Sequence, residues 1–203
     1  MEKILSLHIG HDASAMYVDH KSLISISEER VSRIKNYFGF PRKAIERIFS
    51  EKRVNWNQID KLIITTKSIK KSTNYKNYFF FNYKSFDFAN EVPLIVRFYS
   101  LFKKNKTFHK YLLEYLSQNK FRGKIIYYDH HLCHIASSLA TYPINNSYLL
   151  SIDGGGDGIN WSLYSFKNKN LKLLENSQTF YGLNKNIVHD SPADIYSNTT
   201  KFL

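Results

Sequence analysis

An internal repeat places the strongest constraint on how this chain folds. The segment LLSIDG at residues 149–154 echoes ILSLHIG at residues 4–10, and each copy continues into a polar turn that contains glycine. Two further strand-like segments follow each turn, at residues 14–19 and 22–29 in the first copy and at 160–166 and 171–177 in the second. Repetition of a whole supersecondary unit predicts two lobes built on one plan, each opening with a three-stranded meander.

Helical and strand patterns alternate after the first meander. Pro41 marks a helix start, because proline is favoured in the first helical turn. Short apolar runs predict buried strands at residues 59–66 and 124–128. From Leu132 the apolar residues recur at helical spacing, which predicts a helix with Asp129 as its N-cap. The pattern predicts an α/β protein with a first lobe at 1–142 and the first half of a second at 147–203.

Histidines at the start of this helix are candidate metal ligands. His130 and His134 are four residues apart, so both imidazoles lie on one helix face and can reach one ion. Asp153 follows the strand predicted at 148–152, and a carboxylate there can complete a His-His-Asp set. The alternative is that these are surface histidines without a functional role, since an HxxxH pattern arises readily by chance in a chain with 8 histidines. The buried strand before the motif and the Asp-Gly-Gly-Gly turn after the next strand strengthen the case for a metal site, and both interpretations stay open at this point.

Glycine-containing turns follow the first strand of each repeat. Backbone N–H groups at such turns can bind an anion without any side chain, so two facing turns would form a phosphate clamp. A P-loop or Rossmann site is disfavoured, because neither GxxxxGK[ST] nor GxGxxG occurs. The candidate phosphate- or substrate-binding residues in the two turns are Gly10, Asp12, Ser14, Gly154, Gly155 and Gly156.

Positive charge is concentrated in one segment. Between residues 67 and 124 there are 13 Lys and Arg against three acidic residues, within a chain of net charge +12. The same segment is rich in Tyr and Phe, a combination typical of surfaces that bind single-stranded nucleic acid. The alternative is an insertion, at about 67–123, that packs its aromatic rings on the protein and leaves its lysines in water. We favour the insertion, without a nucleic-acid partner, since no RNP-like or KH-like motif is present.

The remaining composition indicates a cytoplasmic protein. A single Cys excludes an intramolecular disulfide and fits a reducing compartment. The first eight residues lack the apolar core of a secretory signal, and no apolar run is long enough to span a membrane.

Four motifs in this order resemble the N-terminal part of the O-carbamoyltransferases of the nodulation-factor and antibiotic-tailoring type. They are IGHDASA at 9–15, EER at 28–30 with Arg33 and Lys35, DHHLCHIAS at 129–137 and DG at 153–154. The resemblance implies lobes of the actin, sugar-kinase and heat-shock-ATPase superfamily, which are ribonuclease H-like, with the first complete and the second truncated. It also implies likeness to the iron-binding enzymes that form threonylcarbamoyl-tRNA.

The resemblance further implies a ligand set and a reaction. His130, His134 and Asp153 would hold a divalent metal, expected to be Fe²⁺, with a fourth ligand from a region absent here. His11 and Lys35 match positions near the carbamoyl donor and acceptor. The full-length enzymes transfer a carbamoyl group from carbamoyl phosphate, through a carbamoyl-adenylate made with ATP, to a small hydroxylated acceptor. Their adenylate-forming C-terminal domain would lie outside this chain, in the rest of the protein or in a separate chain.

These residues suit carbamoyl transfer on chemical grounds. A metal can polarise the carbonyl oxygen as a Lewis acid. His11 can act as a base or bind an oxyanion, and Lys35 supplies a point charge. The segment 28–30 is either a solvated strand end with salt bridges or a place where Arg30 binds phosphate.

Two other functions remain open for the chain. It could be a truncated binding module that keeps the fold without the activity, or a tRNA-modifying relative that uses the basic insertion. The residues of the DHHLCH and EER motifs favour the carbamoyltransferases over the tRNA-modifying enzymes. For the chain by itself we expect weak metal binding, poor solubility and no carbamoyl transfer.

Overall fold

The computed structural model describes residues 2–67, 108–142, 144–177 and 199–200. The chain divides into two compact units, Met1–Tyr127 and Tyr128–Leu203. Most of the insertion predicted at 67–123 lies outside the described residues. The lobe boundary predicted near residue 142 was inferred from the repeat and stays a prediction. Within the described residues, no helix has the length and apolar character needed to cross a membrane.

A five-stranded sheet forms the base of the first unit. Its strands are β1 (Ile4–His8), β3 (Ser14–Val18), β4 (Leu23–Ser27), β6 (Lys61–Ile64) and β7 (Lys124–Tyr127). The strand order is β4-β3-β1-β6-β7, with the first three antiparallel and β6 and β7 parallel to β1. This mixed sheet, combined with helices, confirms the predicted α/β class. A separate two-stranded ribbon pairs β2 (Gly10–His11) with β5 (Phe38–Gly39).

Three helices complete the described part of the first unit. They are α1 (Glu28–Ser32), α2 (Arg42–Lys52) and α3 (Phe108–Gln118), and a 3₁₀ turn lies at Trp56–Gln58. Strands and helices share one apolar core, because their inward positions follow the expected periods of two and 3.6 residues. Its buried members include Leu5 and Leu7 of β1, Ala44, Ile45 and Ile48 of α2, Leu62 and Ile64 of β6, and Leu112 and Leu116 of α3.

Glu28 corrects the interpretation of segment 28–30 as a solvated strand end. Its side chain is buried, with 1% of the residue exposed, at the junction of β4 and α1. The carboxylate accepts hydrogen bonds from the backbone N–H of Lys43, at 3.2 Å, and of Ala44, at 2.8 Å. These two groups lie in the first turn of α2, whose N-cap position is occupied by Pro41. Because proline has no side-chain acceptor, Glu28 supplies the capping carboxylate from elsewhere in the chain.

Among its described residues, the second unit has a three-stranded antiparallel sheet and a helix that precedes it in the chain. Its strands are β8 (Ser147–Gly156), β9 (Ile159–Lys167) and β10 (Asn170–Asn176), in the order β10-β9-β8, and the helix is α4 (His130–Thr141). A small apolar cluster between α4 and one sheet face is centred on Ile135, Leu149 and Tyr164. Tyr148, Leu150 and Ile152 alternate with these positions and point to the other face of the sheet, where they are exposed.

The hairpin between β8 and β9 differs from the sequence expectation. The strand was predicted to end at Ile152, whereas β8 continues through the glycines to Gly156. Its pairing with β9 shifts register between Ile152 and Gly156. Asp157 and Gly158 then form the turn, with φ of 54° and 86°. Positive φ at both central residues is the condition of a type I′ turn, for which Asp-Gly is a favoured sequence.

Candidate metal centre

Helix α4 and strand β8 bring together the three candidate ligands of the second unit. Asp129 caps α4 as expected, since its carboxylate accepts from the backbone N–H of Leu132 at 3.2 Å. His130 and His134 are one turn apart on α4, and their ring centroids are 4.7 Å apart. Asp153 reaches both rings from β8.

The donor atoms of these residues form a small triangle. His130 Nε2 lies 2.7 Å from Asp153 Oδ2 and 3.0 Å from His134 Nε2, and His134 Nε2 lies 3.4 Å from Asp153 Oδ2. Two ligands bound to one ion at about 2.1 Å are separated by roughly 3.0–3.4 Å for angles between octahedral and tetrahedral. Two imidazoles with one carboxylate are also a donor set that suits Fe²⁺ and Zn²⁺. Two of the three separations lie in this range, and the 2.7 Å separation between His130 and Asp153 is that of a hydrogen bond, which would lengthen by about 0.3 Å when an ion replaces the proton. With that small adjustment the residues present fit a divalent metal, and its binding stays a prediction.

Exposure differs across the triangle. His130 has 11% of its side chain exposed, whereas His134 has 54% and Asp153 has 32%. The cluster is therefore anchored in the unit on the His130 side and accessible to solvent on the His134 side. Three protein ligands with an accessible side leave coordination positions for water or substrate.

Acidic groups around His130 favour its protonated form. The hydrogen bond to Asp153 raises the pKa of His130, and the negative charges of Asp153, Asp157 and Asp129 act in the same direction. Burial of the ring opposes this shift without cancelling it. The same field would favour a divalent cation, which must displace the His130 proton when it binds.

Gly156 is in close contact with His130. A Cβ atom at this position would lie 2.1 Å from His130 Cδ2 and 2.4 Å from its Cγ. Only glycine therefore fits here while the ring keeps its place. The phosphate-binding role inferred for Gly154, Gly155 and Gly156 stays a prediction.

Two residues that support the cluster were missed by the sequence analysis. Asp157, at the hairpin tip, accepts a hydrogen bond from the backbone N–H of His130 at 2.8 Å. His131 is fully buried and bonds to Ser151 Oγ at 2.8 Å and to the carbonyl oxygen of Ile159 at 3.0 Å. One signal for His131 was available, because it lies four residues before Ile135 of the apolar stripe.

The candidate base of the first unit lies in the β2 ribbon. His11 Nδ1 is 3.1 Å from Asp12 Oδ2, and both side chains are largely exposed. A further residue missed by the sequence analysis, His8 at the end of β1, holds this turn. Its Nε2 is 3.0 Å from the carbonyl oxygen of His11, and its Nδ1 is 3.0 Å from Thr65 Oγ1. The residues that hold the His11 turn therefore lie at the carboxyl ends of the parallel strands β1 and β6. Ligands bind at this end of the strands in open α/β sheets.

The other candidates of the first unit lie close to this ribbon in sequence. Gly10 pairs with Gly39 and has a φ of 132°, a conformation that favours glycine, and Ser14 begins β3. Lys35 is exposed three residues before Phe38, the residue paired with His11. Arg30 is exposed, with its Nε 3.7 Å from Glu29 Oε1. The facing of the two glycine turns involves both units and stays a prediction.

Comparison with known proteins identifies the family. Residues 3–202 match the family described as "Carbamoyltransferase N-terminus". This chain belongs to the carbamoyltransferase N-terminus family. It is 28% identical over 202 residues to an uncharacterized protein of Methanocaldococcus jannaschii, and the match covers 98% of this chain. The chain spans 30% of the length of that relative.

Two solved structures are similar to this carbamoyltransferase N-terminus. YeaZ from Pseudomonas aeruginosa has a TM-score of 0.43 and 10% identity, covering 95% of this chain and 73% of that one. An uncharacterized protein with similarity to peptidase YEAZ from Pseudomonas aeruginosa has a TM-score of 0.42 and 12% identity, covering 86% and 64%. The family inferred from the four motifs is confirmed, while its nodulation-factor and antibiotic-tailoring branch stays a prediction.

Proposed function

We propose that this carbamoyltransferase N-terminus supplies the metal-binding, acceptor-side part of an O-carbamoyltransferase. The complete enzyme moves a carbamoyl group from carbamoyl phosphate, by way of a carbamoyl-adenylate, to the hydroxyl of a small acceptor. The observation that carries the proposal is the triangle of His130, His134 and Asp153, whose donor atoms lie within 3.4 Å of one another in a chain of this family.

The metal centre has a defined place in this proposal. His130, His134 and Asp153 hold the divalent ion, expected to be Fe²⁺, through two neutral imidazole nitrogens and one carboxylate oxygen. When bound, the ion polarises the carbamoyl carbonyl oxygen as a Lewis acid. Two residues keep His130 in position. Asp157 accepts a hydrogen bond from the backbone N–H of His130, and the backbone of Gly156 packs closely against the His130 ring.

His11 acts as the base in the transfer step. The acceptor oxygen bonds to the carbamoyl carbon, the bond from that carbon to the adenylate phosphate oxygen breaks, and AMP leaves. The hydroxyl proton passes to His11. Asp12 accepts from His11 Nδ1–H at 3.1 Å, which leaves the lone pair on Nε2 to take the proton. His8 fixes the backbone of the same turn through the His11 carbonyl.

Phosphate groups are bound by the glycine turns and by nearby cations. Gly10 and Ser14, on either side of the turn after β2, and Gly154 and Gly155, in the segment of β8 where its pairing with β9 shifts, supply backbone N–H groups. Lys35 and Arg30, which are exposed in the segment between β4 and β5, add positive charge. ATP is used by an adenylate-forming part of the complete protein, which agrees with the limited share of the relative that this chain spans.

Metal binding is tested by titrating the purified chain with Fe²⁺ under anaerobic conditions, or with Co²⁺ as a spectroscopic substitute. Loss of an outer-shell partner weakens metal binding about 10–100-fold, so loss of a direct ligand in His134→Ala or Asp153→Ala is expected to cost at least this much. His20→Ala is the matched control, since His20 is an exposed histidine on the β3–β4 turn. Equal affinity of His134→Ala and wild type would remove the metal site.

Transfer is tested with labelled carbamoyl phosphate, ATP, Fe²⁺ and a panel of hydroxylated acceptors. We expect no product from this chain alone, and product when the rest of the protein, comprising the remainder of the second lobe and the adenylate-forming domain, is supplied as a second polypeptide. His134→Ala should abolish that product. Turnover by this chain alone, lost in His134→Ala, would show that adenylate formation was wrongly assigned to another part of the protein.

A further inference from the structure

His131 lies between the two candidate ligands of α4, and the proposed chemistry does not use it. Its side chain is fully buried, and both of its ring nitrogens are engaged. Because the Ile159 carbonyl oxygen only accepts hydrogen bonds, His131 Nε2 must carry a proton and donate it. Nδ1 then faces the hydroxyl of Ser151, which is itself buried. A histidine bonded at both nitrogens fixes two points of the sheet relative to α4.

The two points lie on either side of an interruption in the sheet. Ile152 pairs with Trp161, and Gly156 pairs with Ile159, so three residues of β8 stand opposite one residue of β9. Asp153 is the first residue of that interrupted segment. Extra residues in a bulge leave the regular ladder, so ladder hydrogen bonds do not fix their position. Contacts with α4 therefore contribute to where Asp153 lies, and the bond from the backbone N–H of His130 to Asp157 is one of them, at the hairpin tip.

His131 provides two more contacts, one at each end of the interrupted segment. Ser151 lies two residues before Asp153, and Ile159 is paired with Gly156 at the far end of the interruption. The His131 ring thus connects both ends of the interrupted segment to α4, at the position directly after His130. A shift of β8 along or away from α4 would break one of the two bonds. The 2.7 Å contact between Asp153 and His130 depends on the same separation.

We infer that His131 is a positioning residue that holds the Asp153 segment of β8 at the distance from α4 at which Asp153, His130 and His134 converge. This inference rests on the proposed function, because it assigns to the metal centre a residue outside its ligand set. His131 acts through hydrogen bonds and not through volume. An apolar side chain of similar size would fill the space but leave the buried Ser151 hydroxyl and the Ile159 carbonyl without this partner.

Two substitutions separate hydrogen bonding from volume. His131→Gln keeps a donor and an acceptor at a spacing close to that of the two ring nitrogens, so Gln can replace both bonds. His131→Leu keeps an apolar filling and removes both bonds. Leu139→Ala is the control for destabilisation, since Leu139 lies in the same helix and packs on the apolar cluster of Ile135, Leu149 and Tyr164. Its apolar side chain cannot form hydrogen bonds, so the substitution leaves the bonds of His131 to Ser151 and Ile159 in place.

The first measurement needs no metal. Hydrogen exchange of the full chain, followed by mass spectrometry, reports protection of the peptide that contains residues 153–156. His131→Leu is expected to increase exchange there by at least tenfold, whereas His131→Gln and Leu139→Ala leave it close to wild type. Equal protection in His131→Leu and wild type would overturn the inference. A rise of the same size in Leu139→Ala would show a general loosening of the unit and would also overturn it.

The second measurement is Co²⁺ affinity, read from the visible absorption of the bound ion. His131→Leu is expected to bind about 10–100-fold more weakly than wild type, the range found for outer-shell partners, and to show an altered spectrum. His131→Gln should restore most of the affinity and the wild-type spectrum. Wild-type affinity in a folded His131→Leu chain would overturn the positioning role. Failure of wild type to bind Co²⁺ and Fe²⁺ would instead remove the proposed metal site, and hydrogen exchange would still decide the role of His131.

Discussion

The three antiparallel strands of the first unit's main sheet and the sheet of the second unit have the same strand order but bury opposite faces of a repeated sequence. The order β4-β3-β1 in the first unit corresponds to β10-β9-β8 in the second. Matching Ser6 with Ser151 in the repeat places Leu5 opposite Leu150 and Leu7 opposite Ile152. Leu5 and Leu7 are fully buried, whereas Leu150 and Ile152 are 56% and 51% exposed. The helix of the second unit packs instead on the face that carries Leu149 and Ser151.

The difference shows that the second unit has an apolar surface where the first has its core. In the first unit β1 is flanked by β6, and helices α2 and α3 contribute to the core that includes Leu5. Among the described residues, β8 has no strand on its outer side. Exposed apolar faces and long edge strands usually have a partner. We expect other parts of a longer family member to cover this face.

The largest effect should come from the matched leucines of the repeat. Leu5→Ala removes a fully buried side chain and should cost about 3–4 kcal/mol in the free energy of unfolding. Leu150→Ala should cost less than about 1 kcal/mol, because its side chain already contacts water. Urea unfolding can be followed in each unit separately, since Trp56 lies in the first and Trp161 in the second. Tryptophan fluorescence of Trp161→Phe and Trp56→Phe backgrounds gives the two curves.

The same measurement can break the comparison. If Leu150→Ala destabilises the second unit as much as Leu5→Ala destabilises the first, the outer face of β8 is covered in the isolated chain. If Leu150→Ala is nearly neutral for unfolding but reduces self-association at high concentration, the exposed face is confirmed as the source of poor solubility.

A pair of glycines gives the next largest effect and separates fold from site. Gly123→Ala places a Cβ 2.4 Å from the Ile59 carbonyl oxygen in the first unit, and Gly156→Ala places one 2.1 Å from the His130 ring. Each overpacking should cost about 1–3 kcal/mol of stability in its own unit. Only Gly156→Ala should also weaken Co²⁺ binding, because His130 must move.

Isothermal titration of both glycine variants with Co²⁺ tests this difference. Unchanged affinity in Gly156→Ala would mean that His130 tolerates displacement and that the close approach of Gly156 has no bearing on the metal centre. Reduced affinity in Gly123→Ala would mean that damage to the first unit reaches the second, so that the glycines no longer distinguish fold from site.

Periodicity accounts for the parts of this fold that the sequence predicted correctly. Alternating and helical apolar patterns located the meanders and α4, and HxxxH spacing with a strand-end carboxylate located the three converging side chains. Glu28 was misjudged because its burial depends on the N-terminus of α2, which is distant in sequence. The continuation of β8 through its glycines was missed because it depends on pairing with β9. His131 was missed because its partners come from two strands that follow it.

A smaller effect is expected from two carboxylates that cap helices from outside, one in each unit. Glu28 accepts from two N–H groups of α2 and is buried, whereas Asp157 accepts from the N–H of His130 at the start of α4. Glu28→Ala should cost about 2 kcal/mol, since it removes the acceptor of one buried and one partly buried N–H group. Asp157→Ala should cost about 1 kcal/mol because Asp129 still caps α4. Urea unfolding with the two tryptophan reporters measures both, and an equal or reversed order would contradict the assignment of Glu28 as the main cap.

The smallest effect is a pH dependence confined to the second unit of the metal-free chain. The bond to Asp153 raises the pKa of His130 above its ordinary value of 6.5. A raised pKa means that the folded state holds the proton more tightly than the unfolded state. The stability gained is therefore fully present below pH 6.5 and lost as pH rises through the folded-state value. The urea concentration at which the second unit unfolds should therefore fall between pH 6 and pH 9, and this fall should be larger in wild type than in Asp153→Asn.

A divalent metal should reverse the sign of this dependence. The ion needs His130 without its proton, so the stability that the ion adds grows as pH rises. With saturating Co²⁺, wild type and Asp153→Asn should differ more in the stability of the second unit at pH 7.5 than at pH 6. Without metal, the difference in stability between them should be smaller at pH 7.5. The Trp56 signal of the first unit should show neither trend, because the unit contains none of the three ligands. A difference that narrows equally with and without Co²⁺ would show that Asp153 and His130 form a simple hydrogen-bonded pair and not a metal centre.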